Sequence, residues 1–173
     1  MKKIILVAMA LFAFGFANGQ AKDGQVSKGK WLIEANTGFG QNVGSTSLSF
    51  TSSDGVTAYN IGAEGGYFIK DNLAIKLGLG YGDNGIDGDD TPLAYKIGAK
   101  YYFKKMIPLE LSYNGVGIGS ANDNPTYLGL QAGYALFLGK NVSIEPGIRY
   151  NKSMSTDFYE DQFQFNIGFA FHF

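Results

Sequence analysis

From Trp31 to Phe173 the chain repeats every second residue, and this period of two limits what it can fold into. Eight runs carry the alternation: Trp31–Phe39, Thr57–Tyr67, Leu73–Tyr81, Leu93–Phe103, Leu109–Gly117, Thr126–Leu138, Val142–Asn151 and Gln162–Phe173. Successive strand side chains point to opposite faces, whereas a helix would need apolar residues every three or four positions. In the last run Phe163, Phe165, Ile167, Phe169, Phe171 and Phe173 alternate with Gln162, Gln164, Asn166, Gly168, Ala170 and His172. The expectation is an all-β chain: eight antiparallel strands and no helix.

Alternation also occurs in soluble up-and-down barrels, so the composition of the two faces has to decide which one is inside. A strand face meeting water should be crowded with Lys, Glu and Thr. Here the polar face is mostly Gly, Ala, Asn, Gln and Ser with a few charges, small enough to fill a narrow lumen. The other face has large aliphatics in mid-strand. Aromatics stand near both ends, with Trp31, Tyr67, Phe103 and Phe171 at one and Tyr81, Tyr95, Tyr113, Tyr150 and Phe163 at the other. Two such girdles suit the two interfaces of a bilayer, and strands of this length can cross one when tilted. The expected architecture is an up-and-down transmembrane β-barrel over 30–173.

Residues 1–19 read as a cleavable signal peptide. Lys2 and Lys3 precede the apolar stretch Ile4–Phe16, and Ala17-Asn18-Gly19 offers small residues at the cleavage positions. The stretch is shorter than the roughly 20 residues of a spanning helix. Residues 20–29 are expected to form a polar periplasmic lead-in.

The signal peptide, the eight amphipathic strands and the terminal Phe-Ala-Phe-His-Phe together resemble the small outer-membrane β-barrel proteins of Gram-negative bacteria, of the OmpA/OmpX type. This resemblance, to the outer membrane protein beta-barrel domain, implies location in the cell outer membrane. It also implies that Phe165, Ile167, Phe169, Phe171 and Phe173 form the signal read by the barrel-assembly machinery. Outer-membrane lipid and lipopolysaccharide are the implied surroundings, and an extracellular ligand is left unspecified. The fold itself hosts many functions and fixes none.

Connection lengths orient the barrel. Ile69–Asn72, Lys104–Ile107 and Gly139–Asn141 are tight, whereas Gln41–Val56, Gly82–Pro92, Ile118–Pro125 and Lys152–Asp161 are long. Outer-membrane barrels keep short turns in the periplasm and long loops outside, so both termini are expected to be periplasmic. Charge sorts with this orientation. Lys22, Lys28, Lys30, Lys70, Lys104, Lys105 and Lys140 face Asp23 and Asp71 on the turn side. The long loops carry Asp54, Asp83, Asp87, Asp89, Asp90, Asp123, Asp157, Glu160 and Asp161 against Lys152 alone. The alternation in Ser45–Thr51 suggests that the first two strands extend beyond the membrane as a ribbon.

The lumen is expected to hold Glu34, Glu64, Glu110 and Glu145 against Lys76, Lys96, Lys100 and Arg149, a balanced set. Buried charges need partners, so these eight should form a plug of ion pairs. The tight hairpins place Glu64 beside Lys76 and Lys100 beside Glu110. A narrow channel for ions or small solutes is the alternative. Pro146 in the seventh run lacks an N–H, and a bulge is expected there.

Composition excludes other chemistry. With no cysteine among 173 residues there is no disulfide, thiolate ligand or cysteine nucleophile, and His172 alone cannot build a multi-histidine metal site. The formal charge of -1 leaves no nucleic-acid footprint. Catalytic motifs such as GxSxG and HExxH are missing, and His172 has only Glu34 as a foreseeable partner. The acidic Asp83–Asp90 stretch departs from EF-hand spacing and reads as a solvated loop. No catalysis, cofactor or metal is expected, and a monomer with a structural or surface-interaction role is; a lipid-modifying outer-membrane enzyme is the less favoured alternative.

Overall fold

A computed structural model describes residues 24–39, 49–53, 56–83, 92–118, 124–154 and 159–173. Residues 1–19, expected to be a signal peptide, and most of the Asp83–Asp90 loop lie outside the described residues. Among these residues ten strand segments run in chain order: β1 (Trp31–Phe39), β2 (Ser49–Ser53), β3 (Val56–Lys70), β4 (Leu73–Asp83), β5 (Pro92–Phe103), β6 (Ile107–Ile118), β7 (Thr126–Gly133), β8 (Leu136–Phe137), β9 (Val142–Ser153) and β10 (Gln162–His172). Eight of them close a barrel, each antiparallel to its neighbours, in the order β1-β3-β4-β5-β6-β7-β9-β10 and back to β1. Closure removes every free sheet edge from the wall. β2 pairs with the far end of β3, as the ribbon expected of the first loop does, and β8 continues the line of β7 along β9.

The interruption between β7 and β8 has a definite cause. The Tyr134 N–H donates to the Pro146 carbonyl at 3.0 Å, so these two residues form a pair that would normally exchange two bonds. Pro146 has no N–H to return the second one. Register is the same on both sides of the gap, Gly133 opposite Gly147 and Leu136 opposite Ile144. The bulge expected at Pro146 is therefore absent: the proline breaks one ladder bond without adding a residue. A register shift occurs instead between Phe68 and Lys70, at the β3–β4 turn.

Burial follows the alternation in an inverted sense. Lys76, Lys100 and Glu34 are 0% exposed, while Leu77, Leu79 and Leu130 on the outer face are 62%, 66% and 55% exposed. A water-soluble barrel would bury the leucines and expose the lysines. The outer band, with Ile97, Leu109, Leu111 and Ile148 in mid-wall and Trp31, Tyr81, Tyr113 and Phe171 near the ends, is instead suited to hydrocarbon.

Residues that sequence reading assigned to a polar lead-in do more than lead in. Val26 is buried beneath the barrel mouth among Leu32, Phe68, Ala74, Tyr102, Ala135, Phe137 and Ala170. Its carbonyl accepts from the Asn72 N–H at 2.7 Å, the Gly29 N–H donates to Phe68 at 2.9 Å, and the Gln25 amide reaches the Gly139 carbonyl. The segment thus crosses the mouth from the β3–β4 turn to the β8–β9 turn. Gly24 and Gly29, at φ of +111° and +88°, make the bends that this path requires.

Candidate functional site

The strands carry three kinds of side chain into the lumen, stacked along the barrel. At the turn end lies the apolar cluster around Val26, with the rings of Phe68, Tyr102 and Phe137 packed 6.4, 6.1 and 5.3 Å from that of His172. Farther along the lumen comes the charged layer. Toward the long loops, Asn36, Ser112, Asn114, Gln131, Asn151, Gln164 and Asn166 supply amides and a hydroxyl, all buried.

All eight charged residues expected in the lumen meet in one network. Lys76 contacts Glu34 at 2.9 Å, Glu64 at 2.5 Å and Glu110 at 2.7 Å. Lys96 pairs with Glu64 and lies 3.4 Å from Glu110, while Lys100 reaches Glu34 at 2.6 Å and Glu145 at 2.5 Å. Arg149 meets Glu110 at 3.0 Å. Four acids and four bases cancel, and each carboxylate has a cation within reach, the condition under which a dry interior tolerates charge.

One of the two pairings drawn from the hairpins holds and the other does not. Glu64 pairs with Lys76, but Lys100, although opposite Glu110 in register, sends its ammonium across the lumen to β1 and β9. Glu110 is already held by Lys76, Lys96 and Arg149, whereas Lys100 is the cation on Glu145. Reach across the lumen lets every acid be paired, which adjacent pairing would not.

Arg149 uses its full donor set. Its Nε donates to Asn151 at 2.8 Å, one terminal nitrogen to Glu110 and Gln131 at 3.0 and 3.1 Å, and the other to Ser112 and Asn114 at 2.5 and 3.0 Å. Five N–H groups thus have five acceptors. Gly129 stands against this fork: a Cβ there would overlap the guanidinium and approach Asn151 Oδ1 to 2.9 Å. Gly129→Ala is expected to cost about 1–3 kcal/mol through overpacking, because the guanidinium cannot move without losing bonds. Urea unfolding of the two proteins measures it, and coincident curves would show that the fork yields freely.

The turn end contains a serine that sequence reading missed. Ser143 Oγ lies 3.0 Å from His172 Nε2 and donates to Glu145 Oε1 at 2.9 Å, where the Tyr102 hydroxyl also donates at 2.9 Å. A hydroxyl has one proton. An ionised Glu145 only accepts, so Ser143 gives its proton there and accepts from the His172 N–H. The chain runs His172 to Ser143 to Glu145, opposite to what a histidine base acting on a serine nucleophile requires. Glu34, the partner foreseen for His172, is engaged by Lys76 and Lys100.

The terminal residues lie on the outer wall. Phe165, Phe169, Phe171 and Phe173 of the last run are exposed and Ile167 is half-buried. At the loop end Asp161 accepts from the Tyr150 hydroxyl and, at 2.8 Å, from the Ser153 N–H, which hold its carboxyl below the ordinary aspartate range.

No protein-family model matches the chain, and a search of curated proteins finds no match. Solved structures do match. The N-terminal β-barrel domain of Pseudomonas aeruginosa OprF aligns at a TM-score of 0.50 and 17% identity, covering 84% of this chain and 98% of that one. A structure described as a de novo design of transmembrane β-barrels aligns at 0.50 and 13% identity over 87% of this chain and 100% of its own. The chain has the fold of the small outer-membrane β-barrels. At these identities the likeness concerns fold alone.

Proposed function

We propose that this barrel is a monomeric integral outer-membrane protein with a structural or cell-surface interaction role, its lumen closed by paired charges, and no catalysis. The observation that carries the reading is the fully buried ionic layer, stacked on the apolar cluster at the turn end. An eight-stranded barrel is just wide enough for side chains to fill, and here they converge on one another. The short turns and both termini face the periplasm and the acidic loops face outward, in keeping with the loop lengths. Lipopolysaccharide is the neighbour of those loops, and the barrel-assembly machinery acts on the chain during biogenesis.

Planar-bilayer recording of the full barrel tests the closed lumen against a narrow passage. Wild type is expected to give no discrete conductance steps at moderate voltage. Reproducible steps would overturn the plug and favour a channel for ions or small solutes.

A further inference from the structure

The outer wall is not evenly covered. A groove of about 540 Å³ crosses β4, β5, β6, β7, β9 and β10 on the face that meets lipid. It lies where two rows of register neighbours run side by side around the wall, and each row contains one small residue, Ala132 in the first and Ala99 in the second. These alanines form the floor, between the higher side chains of Leu109, Leu111, Leu130 and Ile148. Six strands at about 4.8 Å give a length of about 24 Å, more than the roughly 15 Å depth of one leaflet of hydrocarbon. An extended chain lying in it therefore slants along the wall.

Tyr101 lines the turn-side end, and two residues beyond it β5 enters the turn that carries Lys104 and Lys105. These lysines have φ of +50° and +61°, both left-handed, with the Met106 N–H bonded to the Phe103 carbonyl across them. Such a turn calls for Asn and Gly at its two central positions. Two lysines there carry a backbone cost and place two positive charges at one spot. Long lysine side chains carry their charge to the headgroup level while their stems lie on apolar surface.

We propose that this groove is a binding site for one anionic phospholipid, an acyl chain lying over Ala99 and Ala132 and the phosphate held by Lys104 and Lys105. The site rests on the reading of the chain as a membrane barrel, with the turn end in the phospholipid leaflet. Two lysines near a headgroup favour an anionic lipid over a zwitterionic one by about thirtyfold.

Native mass spectrometry of the full barrel, released from vesicles of equal phosphatidylglycerol and phosphatidylcholine, reads this directly. Wild type is expected to retain phosphatidylglycerol with roughly that preference. Lys104→Asn with Lys105→Gly, which relieves the turn and so folds at least as well, should bring the preference close to unity. Ala99→Leu with Ala132→Leu should abolish retention of either lipid by filling the floor. Equal retention of the two lipids by wild type, unchanged selectivity in the lysine variant, or a lipid-free dimer seated on the groove would each overturn the site. Failure of wild type to insert into vesicles at all would overturn the membrane reading and the site with it, an outcome distinct from insertion without selectivity.

Discussion

Lys76→Met is expected to destabilise the barrel by about 3–5 kcal/mol, the range for removing one member of a buried ionic cluster. Among the described lumen bases, Lys76 alone contacts three carboxylates, Glu34, Glu64 and Glu110. Methionine matches its length and slim shape, so packing is nearly kept and the loss is electrostatic. Those acids retain Lys100, Lys96 and Arg149, but four negative charges then share three positive ones in a space closed to water. Adding Glu110→Gln restores balance. The double variant should cost less than the two single changes combined, since contacting residues in one network do not act additively. Urea unfolding in vesicles provides all three values. Strict additivity, or a loss under about 1 kcal/mol for Lys76→Met, would mean that water enters the lumen and screens the pairs as it does at a surface.

The same network shows how far the sequence alone could be read. Period two fixes which residues face inward, so the membership of the charged layer was legible once the small-residue face was assigned to the lumen. Glu64 with Lys76 was legible as well, because they sit on adjacent strands joined by a tight turn. Lys100 was not. Its partners come from β1 and β9, and only closure of the barrel brings those strands within reach. Val26 escaped notice for another reason: a single apolar residue among Gln25, Ser27 and Lys28 has no periodicity to announce burial. Ser143 occupies an unremarkable inward position, and it becomes notable only through its distance to His172. Ala99 and Ala132 fall on the outward face by register, which they join by polarity but not by size. A groove is a property of volume, and a pattern of polar and apolar residues does not register it.

Removing Phe173 should produce the other large effect, on assembly rather than on the lumen. The residue is both an exposed outer-wall aromatic and part of the ladder that closes the barrel. Its N–H donates to the Trp31 carbonyl at 3.0 Å, and the Trp31 N–H donates back to its carbonyl at 3.1 Å. Deletion forfeits both bonds, about 1 kcal/mol each, whereas Phe173→Ala keeps them and loses only the ring. The two changes therefore separate closure from recognition. If the terminal aromatic is what the assembly machinery reads, Phe173→Ala should insert poorly in cells yet refold into vesicles about as well as wild type. Deletion should fail in cells and also unfold at lower urea from vesicles. The measurement is the yield of the heat-modifiable folded form in each setting. Normal yield of Phe173→Ala in cells would remove the ring from the assembly signal and leave Phe173 with a purely structural part, closing β10 against β1.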